Sequence, residues 1–221
     1  MNFEFASVPV VIMAGGQGKR MRPYTDILPK PLLGYDNKTM LETVIDNYYQ
    51  IGVRVFYLVL YYKADLIKTY VENLRLPIEV HYIYETNPLG TAGGLALLKG
   101  VIHSDFLMCN CDNLGKFDYM KGFEWHQKLH ADITIFVKEQ HHTIPFGIIQ
   151  HNDNIVTGIV EKPQQVFFSS TGIHIVNYHV LEMIEDDISI DMPDIINDLS
   201  QKGKVVLVDV GDDAWIDMSI Q

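Results

Sequence analysis

Short apolar runs alternate with stretches of helical periodicity along the first half of the chain. The run over residues 53–60 is almost continuously apolar, which is typical of a strand that is buried on both faces of a sheet. Between such runs, Leu41, Val44 and Tyr48 recur at the spacing of one helix face. The pattern predicts strands over 8–13, 53–60, 78–84 and 105–111, and helices over 41–51, 64–73, 91–100 and 117–130.

This order of elements predicts the α/β class. Strands that alternate with helices form parallel sheets with helices on both faces. The second half of the chain is less regular, with strands over 133–137, 171–176 and 204–208, a hairpin over 146–161 and a helix over 192–201. We therefore expect one domain over residues 1–221, with a mostly parallel central sheet and a small added lobe.

The stretch over residues 8–33 carries the most distinctive chemistry. A predicted strand breaks into Ala-Gly-Gly-Gln-Gly at 14–18, and Lys19, Arg20, Arg22 and Lys30 follow. Glycines let a backbone approach a ligand closely, and free N–H groups with Lys and Arg side chains can hold a polyphosphate. Two prolines flank Lys30 and fix its backbone. A tight turn followed by a solvated basic face is the alternative interpretation.

The composition of the chain limits the classes of partner that it is expected to bind. The net charge of −11 disfavours non-specific nucleic-acid binding, and it makes the basic cluster near the N-terminus stand out. The two cysteines, Cys109 and Cys111, do not indicate a disulfide framework. No stretch is long enough to span a bilayer. We expect a cytoplasmic protein with neither nucleic-acid nor membrane partners.

Two carboxylates follow strands of the predicted parallel sheet. Glu85 comes after the third strand, and Asp112 after the fourth. Ligands of such sheets bind beyond the carboxyl ends of the strands. We therefore expect both side chains to lie at the same edge of the sheet as the glycine turn.

With these features in place, the chain resembles the sugar-1-phosphate nucleotidyltransferase family along its whole length. Members couple a nucleoside triphosphate to a sugar-1-phosphate and release pyrophosphate. The opening signature and Glu-Lys-Pro together make the resemblance specific. The matching motifs are Ala-Gly-Gly-x-Gly-x-Arg at 14–20, Pro-Lys-Pro at 29–31, Pro-Leu-Gly-Thr-Ala at 88–92, Asp112, Phe-Gly at 146–147, Glu-Lys-Pro at 161–163 and Trp-Ile-Asp at 215–217.

The resemblance implies a Rossmann-like α/β/α sandwich with a nucleotide-binding half over about 1–138 and a sugar-binding half over about 139–221. It also implies a role for each matching residue. The implied nucleotide-binding residues are Ala14, Gly15, Gly16, Gly18, Glu85, Pro88, Gly90 and Thr91. The implied catalytic residues are Arg20, Lys30 and Lys162; the sugar-binding residues are Gly147, Glu161 and Thr171; and the Mg²⁺ ligands are Asp112 and Asp217.

The residues fit this chemistry without the family name. A sugar phosphate that attacks an α-phosphate is already an anion near neutral pH, so the reaction needs no general base. The difficulty is to bring several anions together, which calls for cations and a metal ion. The chain supplies lysines and arginines, and it supplies the hard oxygen ligands that Mg²⁺ prefers.

Glu85 favours GTP among the nucleotides. A carboxylate can accept hydrogen bonds from the N1–H and N2–H₂ groups of guanine, whereas thymine and uracil offer one N–H between two carbonyls. Pro-Leu-Gly-Thr-Ala-Gly at 88–93 is similar to mannose-type guanylyltransferases, and related members act on heptose or glucosamine phosphates. Alternatively, Glu85 points to solvent or caps a helix that begins at Thr91.

Other functions stay open at this stage. A catalytically silent relative would bind nucleotide sugars without turnover. A relative that uses dTTP, UTP or CTP, or a non-sugar acceptor such as molybdopterin or phosphocholine, would share the glycine turn. Only four residues follow Asp217, so the alternatives are a C-terminus that is cut and a lobe that is minimal. The first eight residues resemble an arbitrary start, which favours an excised catalytic domain. The sequence does not specify the sugar, and a homo-oligomer is neither indicated nor excluded.

Overall fold

The computed structural model describes residues 4–211 and 215–219. Its strands are β1 (Pro9–Met13), β2 (Gly34–Tyr35), β3 (Lys38–Thr39), β4 (Val55–Leu60), β5 (Glu79–Tyr84), β6 (Phe106–Asn110), β7 (Asn113–Gly115), β8 (Ile133–Thr143), β9 (Ile148–Asn152), β10 (Ile155–Val160), β11 (Gln164–Val176), β12 (Val205–Asp209) and β13 (Trp215–Asp217). Its α-helices are α1 (Tyr24–Ile27), α2 (Met40–Gln50), α3 (Ala64–Leu74), α4 (Tyr119–Lys128) and α5 (Met192–Ser200). Short 3-10 segments of one or two turns cover Phe5–Ser7, Lys19–Met21, Lys30–Leu32, Gly93–Leu98 and Tyr178–Met183.

Seven strands form the central sheet, in the order β12-β8-β11-β6-β1-β4-β5. The pairs β6-β1, β1-β4, β4-β5 and β12-β8 are parallel, whereas β11 runs antiparallel to both of its neighbours. The prediction of an α/β fold with a mostly parallel sheet is confirmed.

Helices cover both faces because the central strands are apolar on both faces. On β1, Val10 and Ile12 belong to the cluster beneath α2, α3 and α4. Val11 and Met13 belong to the opposite cluster, beneath α5 and the 3-10 turn at Gly93–Leu98. All five residues of β1 are buried, as expected for a strand between two helical layers.

Thr39 and Glu42 have the sequence spacing of a capping box at the start of α2, and one half of that box forms. The Thr39 hydroxyl accepts a hydrogen bond from the Glu42 N–H at 3.1 Å. Glu42 does not return the bond to Thr39; its carboxylate instead accepts from the Tyr70 hydroxyl at 2.7 Å. Gly52 lies beyond the helix with φ of 105°, a conformation that favours glycine.

The predicted α-helix over 91–100 is wrong, because other groups take its first backbone donors. The N–H groups of Ala92 and Gly93 donate to the Ile190 carbonyl at 3.0 and 3.1 Å. Only a 3-10 turn over Gly93–Leu98 forms, and no side chain caps it. Thr91 instead contacts Asp191 at the start of α5.

The second half departs furthest from the predicted pattern. Strands β8 and β11 extend well beyond 133–137 and 171–176 and pair with each other in antiparallel register. They carry the predicted hairpin, formed by β9 and β10. The proposed division between residues 138 and 139 falls inside β8. Strands β7 and β13 were not expected, and they pair with each other.

Within residues 4–211 and 215–219, no helix has the length and apolar character needed to cross a bilayer.

His174 lies in the centre of the sheet, where burial lowers its pKa to about 4. Its Nδ1 is buried without a hydrogen-bond partner in the described structure. The unfolded chain, with a histidine pKa of 6.5, binds more protons than the folded protein as the pH falls from 6.5 to 4. The free energy of unfolding should therefore decrease across this window.

We predict that His174→Leu reduces this loss of stability between pH 7.5 and pH 5, as measured by urea unfolding at each pH. The exposed change His151→Gln serves as the control and should leave the pH dependence unchanged. Equal pH dependence in His174→Leu and the wild-type chain would contradict the assignment of His174 as a buried neutral imidazole.

Candidate functional site

The carboxyl ends of β1, β4, β5 and β6 meet at one edge of the sheet, because these strands are parallel. In the central sheet, β4 lies on one side of β1 and is the next strand of that sheet along the chain. Strand β6 comes later in the chain and lies on the other side of β1. The chain therefore changes direction across the sheet at β1, and a crevice at such a point is where ligands of open α/β sheets bind. The glycine turn follows β1, and Asp112 follows β6 within two residues.

The glycine turn is fastened at its base and open at its tip. The Ala14 N–H donates to the Val59 carbonyl at 2.9 Å, and the Gly15 carbonyl accepts from the Tyr62 N–H at 3.2 Å. A Cβ on Gly16 would meet nothing within 4 Å. Gly18 adopts a left-handed φ of 61°. The turn thus leaves an exposed stretch of backbone that a phosphate can approach.

Arg20 lies in the 3-10 turn that follows Gly18, and its side chain is exposed. The nearby acid Asp26 is occupied by Arg22, whose Nε lies 3.2 Å from its Oδ1. No ion pair to Arg20 forms among residues 4–211 and 215–219. Its guanidinium is therefore available to an anion beside the glycine turn.

Lys30 reaches across the crevice to Asp112. Its Nζ forms an ion pair with Asp112 Oδ2, and the two side chains are only 16% and 8% exposed. Pro29 and Pro31 flank Lys30 and are buried. The expectation that the two prolines hold this lysine in a defined position agrees with the contact.

Asp217 is brought beside Asp112 by the unexpected pairing of β13 with β7. Asp217 lies opposite Asn113, and the Met218 N–H donates to the Asp112 carbonyl at 2.9 Å. One carboxylate oxygen of Asp217 accepts from the Ser219 N–H and hydroxyl at 2.9 and 2.6 Å. These bonds orient the carboxylate at the end of β13.

Thr171 connects β13 to the long strand β11. Its carbonyl accepts from Trp215 Nε1 at 3.0 Å, and its hydroxyl donates to the Phe136 carbonyl at 2.8 Å. Thr171 is buried. Its contacts with protein groups therefore fix the strand that carries Asp217.

The donor set fits Mg²⁺. Asp217 pairs with Asn113, the residue after Asp112, and the two aspartates offer hard oxygen ligands. Mg²⁺ in enzymes is commonly held by one or two carboxylates, with water and substrate phosphates completing an octahedron. Among the described residues, no group of three or more His, Cys, Asp or Glu side chains could hold a metal ion. The arrangement therefore suits a metal that arrives with a phosphate ligand.

Glu85 lies between two glycine backbones at the end of β5. A Cβ on Gly15 would stand 2.7 Å from its Oε2, and Gly94 lies against its Oε1. Oε1 is buried and has no hydrogen-bond partner in the described structure. Burial raises the pKa of this carboxyl to about 7. Neither alternative role for Glu85, a solvent-facing side chain or a helix cap, matches this position.

One loop packs against the start of α5. This loop contains Pro88, Gly90 and Thr91. The Thr91 hydroxyl donates to Asp191 Oδ1 at 3.0 Å and accepts from the Met192 N–H at 2.9 Å. A Cβ on Gly90 would lie 2.9 Å from the same Asp191 oxygen. Pro88 is exposed at the beginning of the loop.

The predicted sugar-side residues Gly147, Glu161 and Lys162 lie where the hairpin of β9 and β10 joins the long strands, and Thr171 lies within β11. Glu161 Oε2 lies 3.0 Å from the position a Cβ on Gly147 would take, so the two residues share one face of the hairpin. Lys162 is exposed and adopts a left-handed φ of 46° between β10 and β11. No hydrogen bond or ion pair among the described residues joins this group to Lys30 or Asp112.

Sequence reasoning missed three side chains that shape the site, namely Tyr62, Lys63 and Asp191. The first two contact the segment after the glycine turn, and Asp191 contacts Thr91. A left-handed φ of 52° at Lys63 is one structural mark of its special position. In the sequence, the only signal was that Tyr62 and Lys63 come within three residues of the end of a buried strand.

Comparison with known proteins identifies the family. The family described as Nucleotidyl transferase matches residues 9–218. The chain belongs to the nucleotidyl transferase family. The predicted resemblance is thereby confirmed at the level of the family.

Individual members of the nucleotidyl transferase family agree with this assignment. Mannose-1-phosphate guanylyltransferase catalytic subunit beta of Drosophila pseudoobscura pseudoobscura is 32% identical over 183 residues, which cover 79% of this chain and 49% of the relative. The chain spans about half the length of the curated relatives it matches.

A solved structure matches the fold over nearly its whole length. HddC from Yersinia pseudotuberculosis superposes with a TM-score of 0.74 at 27% identity, covering 96% of this chain and 94% of that one. The same protein complexed with GMP-PN gives a TM-score of 0.71 at 26% identity. The Rossmann-like fold expected from the sequence is therefore confirmed.

Proposed function

We propose that this nucleotidyl transferase couples a nucleoside triphosphate, with GTP favoured, to a sugar-1-phosphate and releases pyrophosphate. The observation that carries the proposal is the convergence of Lys30 and Asp112 at the crevice beyond β1 and β6. The names of the mannose-1-phosphate guanylyltransferase relatives support both substrates. They make mannose-1-phosphate the first acceptor to test.

In this proposal, backbone N–H groups and cationic side chains have separate roles in the reaction. Gly15, Gly16 and Gly18 receive the nucleotide phosphates on backbone N–H groups, and Ala14, whose N–H is bonded to the Val59 carbonyl, anchors the nucleotide-binding turn. A phosphate oxygen of the sugar phosphate attacks the α-phosphorus, and the bond from that phosphorus to the bridging oxygen breaks. Arg20 stabilises the negative charge on the departing pyrophosphate. Lys30 lies where the reacting phosphates meet and stabilises their charge. No proton transfer is needed, because the attacking phosphate is already an anion.

Asp112 and Asp217 would hold Mg²⁺ in this proposal, and the ion would neutralise phosphate charge and polarise phosphoryl oxygens. Lys30 exchanges its contact with Asp112 for a phosphate oxygen when the substrates bind. The charge pair in the free protein thus keeps both groups aligned until the substrates arrive.

The sugar side uses the second group of residues. Gly147 and Glu161 contact the sugar, and Lys162 binds its phosphate. Thr171, the third expected sugar-binding residue, is buried with its hydroxyl bonded to the Phe136 carbonyl, so in this proposal it supports the sugar side from within the sheet. The division into a nucleotide-binding half over about 1–138 and a sugar-binding half over about 139–221 belongs to the same proposal. The shared face of Gly147 and Glu161 supports it.

Glu85 selects the base, with Pro88, Gly90 and Thr91 forming the neighbouring loop. Its buried and unpaired Oε1 supports this role, because an unsatisfied acceptor in a ligand crevice is relieved by a donor from the ligand. The N1–H and N2–H₂ groups of guanine provide two such donors. A cytoplasmic location stays a prediction of the sequence.

We predict that the chain with Mg²⁺, GTP and mannose-1-phosphate releases pyrophosphate, and that omitting the sugar phosphate or chelating the metal abolishes release. The assay is a coupled measurement of pyrophosphate with GTP, ATP, CTP, UTP and dTTP against a panel of hexose and heptose 1-phosphates. Release with a different pair would change the proposed substrates. No release with any pair, together with tight binding of a nucleotide sugar, would contradict the transferase proposal and favour a protein that binds nucleotide sugars without turnover.

For the base, we predict that Glu85→Gln lowers the preference for GTP over the other triphosphates by roughly tenfold or more, since a hydrogen bond to a charged group is worth about 1.5–3 kcal/mol. Burial raises the pKa of Glu85 to about 7, so the carboxyl is mostly neutral at pH 6 and ionised at pH 8. GTP preference in the wild-type chain should therefore rise with pH through 7, and Glu85→Gln should flatten this rise.

The control for this pair of measurements is Glu79→Gln, at the other end of the same strand. It should preserve both the preference and its pH dependence. If Glu85→Gln discriminates among the triphosphates as the wild-type chain does at both pH values, Glu85 has no part in base selection.

A further inference from the structure

We propose that Tyr62 and Lys63 are positioning residues, which hold the phosphate-binding turn and Lys30 in their reactive arrangement through the short helix α1. This inference rests on the proposed function for its consequence on turnover. Its structural basis is independent of which triphosphate or sugar is used.

Three neighbouring carbonyls at the end of α1 receive donors from this pair. The Tyr62 hydroxyl donates to the Thr25 carbonyl at 3.1 Å. The Lys63 ammonium donates to the carbonyls of Asp26 and Ile27, both at 2.7 Å. The last carbonyls of a helix lack partners within the helix, and a cation is favoured there. Tyr62 and Lys63 together therefore cap a helix of only four residues.

Thr25 connects α1 to the glycine turn. Its side chain is buried, and its hydroxyl donates to the Gly18 carbonyl at 3.0 Å. A Cβ on Gly18 would lie 2.8 Å from Thr25 Cγ2 and 3.0 Å from Lys30 Cβ. Thr25, Gly18 and Lys30 are thus in close packing, so a displacement of α1 would displace both the turn and the lysine.

A second connection fixes the base of the turn from the same segment. The Tyr62 N–H donates to the Gly15 carbonyl at 3.2 Å. Tyr62 therefore contacts the beginning of the glycine turn through its backbone N–H, and it contacts α1 through its hydroxyl. Residues 16–24 lie between these two points, Gly15 and Thr25.

The backbone at Lys63 supports a role for its side chain. Lys63 adopts a left-handed φ of 52° just before α3, a conformation that costs energy for residues other than glycine. Glycine would satisfy the backbone better but would leave two carbonyls of α1 without their donor. This distinction lets one substitution separate the backbone from the ammonium group.

We predict that Lys63→Gly lowers kcat roughly tenfold or more while the melting temperature is unchanged or higher, because misplaced reacting groups lose rate without loss of fold. Tyr62→Phe should lower kcat in the same way. Lys63→Arg, which keeps donors at this position, should recover most of the rate. The matched control Lys68→Met, on the exposed face of α3, should behave as the wild-type chain.

A second readout does not depend on turnover. Hydrogen–deuterium exchange of the free, full-length chain should increase within residues 18–28 in Tyr62→Phe and in Lys63→Gly, but not in Lys68→Met. If the wild-type chain shows no turnover with any substrate pair, the proposed function fails while this exchange result still decides the positioning role.

Two results would overturn the inference. Unchanged exchange in residues 18–28 together with unchanged kcat in both variants would show that the contacts do not position the turn. A higher KM for the triphosphate in Lys63→Gly, with no effect of Tyr62→Phe, would instead make Lys63 a direct phosphate ligand.

Discussion

The ion pair between Lys30 and Asp112 is the interaction on which the candidate site depends. The two side chains come from opposite walls of the crevice, 82 residues apart in sequence, and both are largely buried. A buried charge without its partner costs about 3–5 kcal/mol, so neither group tolerates loss of the other. The pair thus requires both walls to be in place before any ligand binds, and ligand binding can exchange one partner for another.

Several features of the fold serve this contact. The parallel strands β1 and β6 place their carboxyl ends together, which brings the glycine turn and Asp112 to one crevice. Pro29 and Pro31 hold the backbone on either side of Lys30. The pairing of β7 with β13 adds Asp217 beside Asp112. Positive and negative groups therefore meet where a phosphate and a metal ion can replace their mutual contact.

The sequence predicted the parts of the fold that have strong periodicity. The strands around β1 are long apolar runs, and α2 carries Thr39 and Glu42 at its start, so local pattern was sufficient there. Strands β7 and β13 have three residues each, which is too short for an alternation to be visible. The extensions of β8 and β11 are exposed at their ends and lack the buried alternation that marks a strand.

The sequence predicted the site residues that lie in motifs with distinctive chemistry. It did not predict the contacts that form between residues far apart in the chain. Thr91 lies 100 residues before its partner Asp191, so no local signal announced that its hydroxyl belongs to α5. The contacts of Tyr62 and Lys63 with α1 depend on the tertiary fold in the same way. Glu85 was placed at the correct edge by strand order, but its position between Gly15 and Gly94 required the structure.

The most direct test of the central claim is a double-mutant cycle on turnover with Lys30→Met and Asp112→Asn. If the pair forms the reaction centre, each single change should lower kcat by roughly a hundredfold or more, and the double change should cost little beyond the worse single one. Urea unfolding of the same variants should show the double variant to be at least as stable as either single one, because no charge is left buried alone. Near-normal turnover in either single variant would contradict the account.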